Sequence, residues 1–355
     1  MQAIGLMSGT SLDGVDAAVV ETDGEQVFGR GPLLTLAYDP VLRADLRRLL
    51  DVAPSLPPND PFLVDCTRRL TERHAEAVVA LGVTAEIVGF HGQTILHDPA
   101  RRRTWQIGDA RMLANATGLP VAYDFRSADV AAGGQGAPFA PLIHAAVAAA
   151  LDKPVCVLNL GGVANLTLVG ADGELLACDT GPASGPLDDW VSRHTGAAFD
   201  AGGALALSGR VDPAVLGNLL ADSYFDKPAP KSLDRLHFAR NIAESGLDHL
   251  TLADGAATLV AWIAAAVART PLPVTPRRWL VTGGGRHNAA IMAALRAELD
   301  APVEPVEAVG WDGDALEAQC FALLAVRMLR QLPLSFPGTT GVPRPMPGGK
   351  IVRPA

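Results

Sequence analysis

The sequence has few charged and few aromatic residues, and both shortages argue against a nucleic-acid partner. Charged residues make up 19% of the 355 residues and aromatic residues 5%. Acidic side chains outnumber basic ones, 38 to 29, whereas a nucleic-acid-binding protein needs a basic face. The few aromatic rings also leave little surface on which single-stranded bases could stack. We therefore expect no nucleic-acid partner.

Paired cysteines and long apolar runs are missing as well. The four cysteines, Cys66, Cys156, Cys178 and Cys320, form no Cys-x-x-Cys pair, which argues against a disulfide framework and a zinc site. Two alanine-rich apolar segments without a charged side chain, 136–151 and 255–268, are shorter than the ~20 residues of a membrane-spanning helix. Residues 1–8 lack the basic start of a secretory signal. These features predict a cytoplasmic protein with no membrane partner.

The pattern of apolar and turn residues predicts two similar halves. In each half an apolar run, a glycine turn and a second apolar run indicate a strand hairpin, followed by a third strand and helices. This predicts an α/β fold made of two duplicated lobes with mixed sheets. We place the lobes at 1–135 and 136–355, with the boundary near the glycine- and alanine-rich segment 127–138. The tail, 332–355, is predicted to be irregular and could return to the first lobe.

Patterns of apolar and capping residues predict the individual strands and helices, and the glycine turns described below lie between them. We expect strands at 2–8, 15–22, 33–38, 86–90, 120–123, 155–160, 163–169 and 174–178, and helices at 41–50, 60–81, 109–117 and 315–329.

The first turn, Gly9–Gly14, joins small hydroxyl residues to glycines. Such a turn can aim several N–H groups and hydroxyls at one anion, and phosphate is the natural guest. Asp13 and Asp16 would repel phosphate, so one of them would instead hold a hydrated Mg²⁺ beside it. The alternative is an ordinary Asp-Gly hairpin turn. The lysine of a P-loop is absent.

Two later turns are also rich in glycine. Asn159–Asn165 occupies the corresponding place in the second half, and Val281–Asn288 leads from an apolar strand through three glycines towards a helix. The first could bind phosphate, and the second could offer a flat surface for a base or ribose. The alternatives are a β-turn without a ligand and a flexible strand-to-helix loop.

Asp179 follows an apolar strand and precedes Thr180-Gly181-Pro182. A carboxylate at the end of a strand is well placed to take a proton from a nucleophile. The alternative is an Asx-turn or a helix N-cap.

Together these elements resemble the superfamily of actin, the seventy-kilodalton heat-shock chaperones and sugar kinases. Within it, the sequence is similar to the anhydro-N-acetylmuramic acid kinase family, and the matching segments span nearly the whole chain. They are GLMSGTSLDGVD (5–16), GFHGQTILH (89–97), QIGDARMLA (106–114), YDFRSADVAAGGQGAPFAPLIH (123–144), NLGGVANLT (159–167), DTGP (179–182), TGGGRHN (282–288) and DALEAQCFALLA (314–325). Thr282 stands where a cysteine is the more usual residue of the family.

The resemblance implies actin-like ATPase lobes of the ribonuclease H-like kind, with ATP in a cleft between them. It implies a kinase that uses ATP and water to open 1,6-anhydro-N-acetylmuramic acid and to phosphorylate it to N-acetylmuramic acid 6-phosphate, in peptidoglycan recycling. Asp179 matches the family's general base. The residues implied to contact ATP are Gly9, Thr10, Ser11, Leu12, Asp13, Gly14, Val15, Asp16, Asn159, Gly161, Gly162, Gly283, Gly284 and Gly285. Mg²⁺ is expected near Asp13, through water, and a homodimer is expected from the resemblance.

The sugar carries an amide and a lactyl carboxylate, and five polar residues are candidates to bind it. They are His91, Gln93, Arg126, Asp129 and Glu317. We assign the carboxylate to Arg126, because a guanidinium can hold a carboxylate with two parallel hydrogen bonds. The alternative for Arg126 is a surface or interface salt bridge, and that for Glu317 is pairing with a neighbouring cation.

Three other functions remain open on the residues alone. A kinase of a plain amino sugar such as N-acetylglucosamine would use the same ATP site and base, but would add no water to the product. An ATP-driven interaction protein like the chaperones would need no sugar, although no peptide-binding module is evident after the second lobe. A glycosidase with paired carboxylates would leave the glycine turns unexplained.

Overall fold

The computed structural model describes residues 1–9, 11–233 and 237–355. The chain forms two compact units: the first contains Met1–Ala149 and Ala315–Ala355, and the second contains Ala150–Asp314. This division differs from the predicted one, 1–135 and 136–355, because 136–149 and the last forty-one residues belong to the first unit. The predicted return of the tail, 332–355, to the first lobe agrees with this division.

The strands are β1 (Gln2–Ser8), β2 (Gly14–Thr22), β3 (Val27–Ala37), β4 (Ile87–Asp98), β5 (Arg103–Ile107), β6 (Val121–Tyr123), β7 (Val155–Leu160), β8 (Val163–Val169), β9 (Leu175–Pro182), β10 (Arg278–Thr282), β11 (Val303–Pro305) and β12 (Lys350–Val352). The helices are α1 (Pro40–Val52), α2 (Pro61–Ala80), α3 (Ala110–Thr117), α4 (Ser127–Ala131), α5 (Ala140–Val147), α6 (Ser184–Thr195), α7 (Ala204–Ser208), α8 (Pro213–Leu219), α9 (Ala239–Glu244), α10 (Leu252–Ala268), α11 (Ala289–Glu298) and α12 (Leu316–Leu329). No helix in the described ranges combines the length and the apolar character that crossing a membrane requires.

Both units contain the same arrangement of strands. In the first unit the sheet runs β12-β6-β4-β1-β2-β3, with β5 paired to β4, and in the second it runs β11-β10-β7-β8-β9. Each unit begins with three antiparallel strands. In the first unit β4 pairs in parallel with β1 and β6 with β4, and in the second unit β10 pairs in parallel with β7 and β11 with β10. The repeated order confirms the predicted α/β fold with duplicated lobes and mixed sheets.

The helix α12 explains why the end of the chain joins the first unit. It packs on β1 and β4 at Gly5 and Gly89, where a Cβ atom would overlap the backbone of Ala318 and Phe321. Glycine is required at both positions because the helix approaches the sheet so closely. Helix α5 also contacts α12, which keeps residues 140–147 in the first unit.

The local predictions of β1, β2 and α2 are confirmed, and Asp60 caps α2 with Pro61 in its first turn. Other predictions need correction. Strand β3 begins at Val27 instead of residue 33, β4 extends to Asp98 instead of ending at residue 90, and β9 extends to Pro182 instead of ending at Cys178. The unpredicted β5 pairs with β4, and the tail predicted to be irregular contains β12. These strands form or lengthen because they pair with strands that are distant in the sequence. The local pattern of apolar residues does not show such pairing.

The candidate active site

The first predicted phosphate turn connects β1 to β2. Leu12 holds it in shape: its N–H donates to the carbonyl of Gly9 at 3.3 Å, its φ of +53° is left-handed, and its side chain is buried. A left-handed leucine is costly, and such backbone strain is found mainly at functional turns. The Ser11 hydroxyl donates to Asp13 Oδ1 at 2.8 Å. Thr10 lies outside the described residues.

A buried trio of polar side chains supports the base of this turn. The Ser8 hydroxyl donates to Gln93 Oε1 at 2.5 Å, and therefore accepts from the Tyr38 hydroxyl at 2.6 Å. The backbone N–H of Tyr38 in turn donates to the carbonyl of Asp13 at 3.0 Å. Gln93 is fully buried, so the structure places it beneath the first turn as a support. The sequence predictions missed Ser8 and Tyr38.

The half-buried Arg126 and the buried His91 form a pair in the first unit. The Arg126 Nε–H donates to His91 Nε2 at 3.1 Å, and His91 Nδ1 lies 2.7 Å from the carbonyl of Gly92. Because arginine can only donate, Nδ1 carries the histidine proton and the imidazole is neutral. Burial, and next the charge of Arg126, hold the pKa of His91 well below its usual range, which keeps it an acceptor.

Arg126 keeps donors for a ligand after its protein contacts are made. Its Nη1 donates to the carbonyl of Gly136 at 2.9 Å, which leaves Nη2 and one N–H of Nη1. Burial lowers the pKa of Arg126 to about 10, so the guanidinium stays charged at neutral pH. The pattern fits a binding site for a carboxylate better than an exposed salt bridge.

Asp129 supports the loop that carries Gly136. Its Oδ1 accepts from the N–H of Gly136 at 2.5 Å, its side chain is buried, and a Cβ on Gly134 would overlap it. Its Oδ2 is buried and has no hydrogen-bond partner among the described residues. Asp129 therefore shapes the loop next to Arg126, and direct contact with the sugar stays a prediction.

The Glu317 carboxylate interacts electrostatically both with the Asp16 carboxylate, which follows the first turn, and with the Arg126 guanidinium. It lies in the first turn of α12, where the surrounding protein raises its pKa, the Asp16 carboxylate raises it further, and Arg126 opposes both. Asp16 accepts a hydrogen bond from Thr35 at 2.6 Å. The carboxylates of Asp16 and Glu317 thus act on each other, and the Arg126 guanidinium acts on Glu317.

The carboxylates of the first turn suit a hydrated Mg²⁺. Magnesium keeps several waters and takes one or two carboxylates together with substrate phosphates. Asp13 is exposed in the turn, and Asp16 is the third residue of β2. In the described ranges no group of three or more His, Cys, Asp or Glu side chains could hold a metal by itself. The residues present therefore fit a metal carried with phosphate, but not a closed protein cage.

The second glycine turn rests on the start of α6. The carbonyl of Gly161 accepts from the N–H and the hydroxyl of Ser184 at 2.9 and 3.1 Å, and the carbonyl of Gly162 accepts from the N–H of Gly185 at 3.3 Å. A Cβ on Gly185 would overlap Gly162. The carbonyls of Gly161 and Gly162 therefore accept hydrogen bonds from the start of α6. These bonds fix the orientation of the peptide groups in the turn.

A row of polar residues crosses the sheet of the second unit. Register pairs Thr282 with Asn159, Asn159 with Asn165, and Asn165 with Asp179. Paired residues on neighbouring strands point to the same face of a sheet. The strands therefore bring the predicted base, the second turn and the start of the third turn to one face, opposite the helix-covered core.

Asp179 has the surroundings of a base that works near neutral pH. The N–H of Leu233 donates to its Oδ2 at 2.7 Å, and its own N–H donates to the carbonyl of Lys231 at 2.9 Å. Burial raises the pKa of Asp179 to about 6, although the Leu233 N–H and the Lys231 ammonium oppose the rise. It sits inside β9 and caps no helix, so the alternative of a helix N-cap is wrong.

The third turn, Gly283–Gly285, packs against the second. Gly283 has a φ of +76°, and a Cβ there would overlap Asn159 Oδ1 and the carbonyl of Leu160. The buried Arg286 holds the turn through Nη1 to the carbonyl of Gly283 at 3.0 Å, and it pairs with Glu307 and Asp314 at 2.9 and 3.0 Å. These contacts make the turn an ordered element and not a flexible loop.

Sequence reasoning missed several supporting residues. Ser8 carries no signal of its own in the sequence, because only the parallel pairing of β1 with β4 places it opposite Gln93. Lys231 carries no local signal, since it lies with Lys227 in the proline-containing segment 227–233, which matches no catalytic motif. The assignments of residues to ATP, sugar and metal stay predictions.

The repeated strand order and the polar face of the second sheet define the class: a two-unit α/β protein whose glycine turns and carboxylate suit phosphoryl transfer. The model of the anhydro-N-acetylmuramic acid kinase family matches residues 1–354. The chain belongs to this family.

Known relatives match along their whole length. The anhydro-N-acetylmuramic acid kinase of Acidiphilium cryptum is 68% identical over 354 residues, covering 100% of this chain and 99% of the relative. Those of Rhodospirillum rubrum and Gluconobacter oxydans are 55% and 53% identical, covering 98% and 99% of this chain and 93% and 99% of the relatives. Among solved structures, a ROK hexokinase from Thermus thermophilus is 15% identical with a TM-score of 0.42, covering 93% of this chain and 100% of that one. The fold assignment depends on the strand order and not on that distant likeness.

Proposed function

We propose that the protein transfers the γ-phosphoryl group of ATP to 1,6-anhydro-N-acetylmuramic acid while water opens the anhydro ring, giving N-acetylmuramic acid 6-phosphate and ADP. The observation that carries this proposal is Asp179, a partly buried carboxylate with a pKa raised to about 6 on the same sheet face as Asn159. Such a group is ionised at neutral pH and is still basic enough to accept a proton from water.

In the proposed reaction, Asp179 removes a proton from a water molecule as its oxygen bonds to the anomeric carbon. The bond from that carbon to the bridging oxygen breaks, and this oxygen takes the γ-phosphoryl group from ATP, which releases ADP. One carboxylate thereby couples ring opening to phosphoryl transfer. Phosphoryl transfer depends mainly on positioning and charge neutralisation, and the glycine turns supply the positioning.

In this proposal the turn Gly9–Gly14 binds phosphate, and Arg126 and Glu317 contact the sugar. The turn at Gly161–Gly162 also binds phosphate, the turn at Gly283–Gly285 binds the nucleoside, and Asp179 is the base. Asp13, through water, and Asp16 would hold Mg²⁺. The ion would neutralise phosphate charge when bound. The family resemblance is also the reason to propose that the protein is cytoplasmic and forms a homodimer. Light scattering of the purified protein tests the homodimer through its molar mass.

The proposal is tested by measuring ADP release with Mg-ATP, with and without the anhydro-sugar, and by weighing the product. The expected result is ADP release that depends on the sugar, and a product heavier by one phosphorylation and one water. Equal ADP release without sugar would favour an ATP-driven interaction protein. A phosphorylated product without added water would favour a plain amino-sugar kinase.

The pH dependence follows from the pKa of Asp179. Because the base must be ionised, kcat/KM for the sugar should fall as the pH falls through about 6 and should level off above it. The measurement is kcat/KM at saturating Mg-ATP across the pH range in which the protein stays folded. A profile that stays flat well below pH 6 would contradict the assignment of Asp179.

A further inference from the structure

The segment Lys231–Leu233 runs beside Asp179 and is bonded to it on both sides. The Asp179 N–H donates to the carbonyl of Lys231 at 2.9 Å, and the Leu233 N–H donates to Asp179 Oδ2 at 2.7 Å. We call this segment the strap. It belongs to no helix or strand, so its position depends on the contacts that hold it.

Lys231 ties the strap to a buried turn. Its ammonium donates to the carbonyls of Tyr224 and Phe225 at 3.1 and 3.4 Å, and it lies 4.5 Å from the centre of the Tyr224 ring. Tyr224 and Phe225 are both buried. The Tyr224 hydroxyl also donates to the carbonyl of Asp179 at 2.9 Å. The same turn therefore anchors the strap and the backbone of the proposed base.

The other end of the strap is held by apolar contacts. The Leu233 side chain lines a cavity of about 590 Å³ together with Trp190, Phe238, Ile242 and Leu247. With Lys231 fixed at one end and Leu233 at the other, the N–H that holds Asp179 Oδ2 has little freedom to move. A base held in this way keeps its orientation towards the water it must activate.

Resting on the proposed function, we propose that Lys231 is a positioning residue: its ammonium bonds to the carbonyls of Tyr224 and Phe225 hold the strap so that the Leu233 N–H orients the Asp179 carboxylate for catalysis. Lys231 does not touch the substrate in this proposal. It acts through the backbone of the strap.

The strap also affects the charge of the base. The titratable groups that interact electrostatically with Asp179 are the Cys178 thiol, the Tyr224 hydroxyl and the Lys231 ammonium. Burial raises the pKa of Cys178 to about 12 and raises that of Tyr224 as well, so both stay neutral. Within the described ranges Lys231 is the cation that favours the ionised carboxylate, and its removal should raise the pKa of Asp179.

The test compares Lys231→Met with Lys231→Arg. For Lys231→Met we expect kcat to fall about tenfold or more, with KM for ATP unchanged, because the base loses its orientation. The acidic limb of the kcat/KM profile should move upward by about half a pH unit. Lys231→Arg should restore the position of the limb. Lys227→Met is the matched control, since Lys227 lies 5.8 Å from the same ring and is assigned no bond to the strap; it should behave like the wild type.

Carbon-13 NMR of the aspartate carboxylates, with Asp179→Asn identifying the signal, gives the pKa of Asp179 without any turnover. This pKa measurement distinguishes failure of the Lys231 proposal from failure of the proposed function. If the wild type does not phosphorylate the anhydro-sugar, only the proposed function is contradicted. Should Lys231→Met fail to fold, Lys231→Gln carries the test, because it keeps a polar side chain at this position and removes the ammonium that bonds to the carbonyls of Tyr224 and Phe225; kcat should fall several-fold. An unchanged kcat and pKa in the folded variant would overturn the proposal.

Discussion

Asp179→Asn should lower kcat by about 10² to 10⁴-fold while ATP still binds with its normal affinity. This is the usual contribution of a general base. The substitution keeps the shape of the side chain, and an amide oxygen can still accept from the Leu233 N–H, so the position of the group should survive. The measurement is sugar-dependent ADP release, together with the dissociation constant of ATP from calorimetry.

The matched control is Asp172→Asn, since Asp172 is an exposed aspartate in the turn between β8 and β9 of the same unit. It should retain full activity. Normal turnover by Asp179→Asn would show that another group takes the proton. Loss of ATP binding together with turnover would show instead that the substitution damages the second unit more widely.

Arg126→Ala should raise KM for the anhydro-sugar by about 10 to 100-fold and leave KM for ATP unchanged. Hydrogen bonds to charged groups each contribute about 1.5 to 3 kcal/mol, and 1.4 kcal/mol corresponds to a factor of ten. Arg126 is charged at neutral pH, and His91 and Gly136 fix its Nε and Nη1. The guanidinium is thus oriented before the sugar arrives, which is why a large effect is expected.

A second substrate separates ligand binding from loop support. The anhydro-sugar without its lactyl group, 1,6-anhydro-N-acetylglucosamine, offers no carboxylate, so Arg126→Ala should change its KM little. If KM rises equally for both sugars, Arg126 acts by holding the Gly136 loop and not by binding the carboxylate. Arg102→Ala is the control, because Arg102 is an exposed arginine that donates to the carbonyl of Ala131 at 3.4 Å.

The hairpins and glycine turns were predictable because their causes are local. Apolar runs on either side of Gly9–Gly14 and of Gly161–Gly162 indicate strand, turn and strand without reference to the remainder of the chain. The cap of α2 by Asp60 follows in the same way from the residues next to it. The order in which such elements recur was enough to predict the duplicated fold.

The roles of buried polar residues were less predictable. Gln93 and Arg126 are both polar residues in motifs that match the family, yet Gln93 lies under the first turn and Arg126 keeps donors for a ligand. Residue type does not distinguish these cases. Their burial and partners do, and these depend on pairings such as that of β1 with β4.

The sequence by itself determined the two βββ hairpin units, the glycine turns and the acid at position 179, because each depends on residues adjacent in the chain. Tertiary structure alone decided that α12 packs on Gly5 and Gly89 in the first unit. It also decided that Leu233, 54 residues away, holds the carboxylate of Asp179. The physical reason is that close packing and burial, which set these contacts and the pKa of Asp179, arise only when distant segments meet.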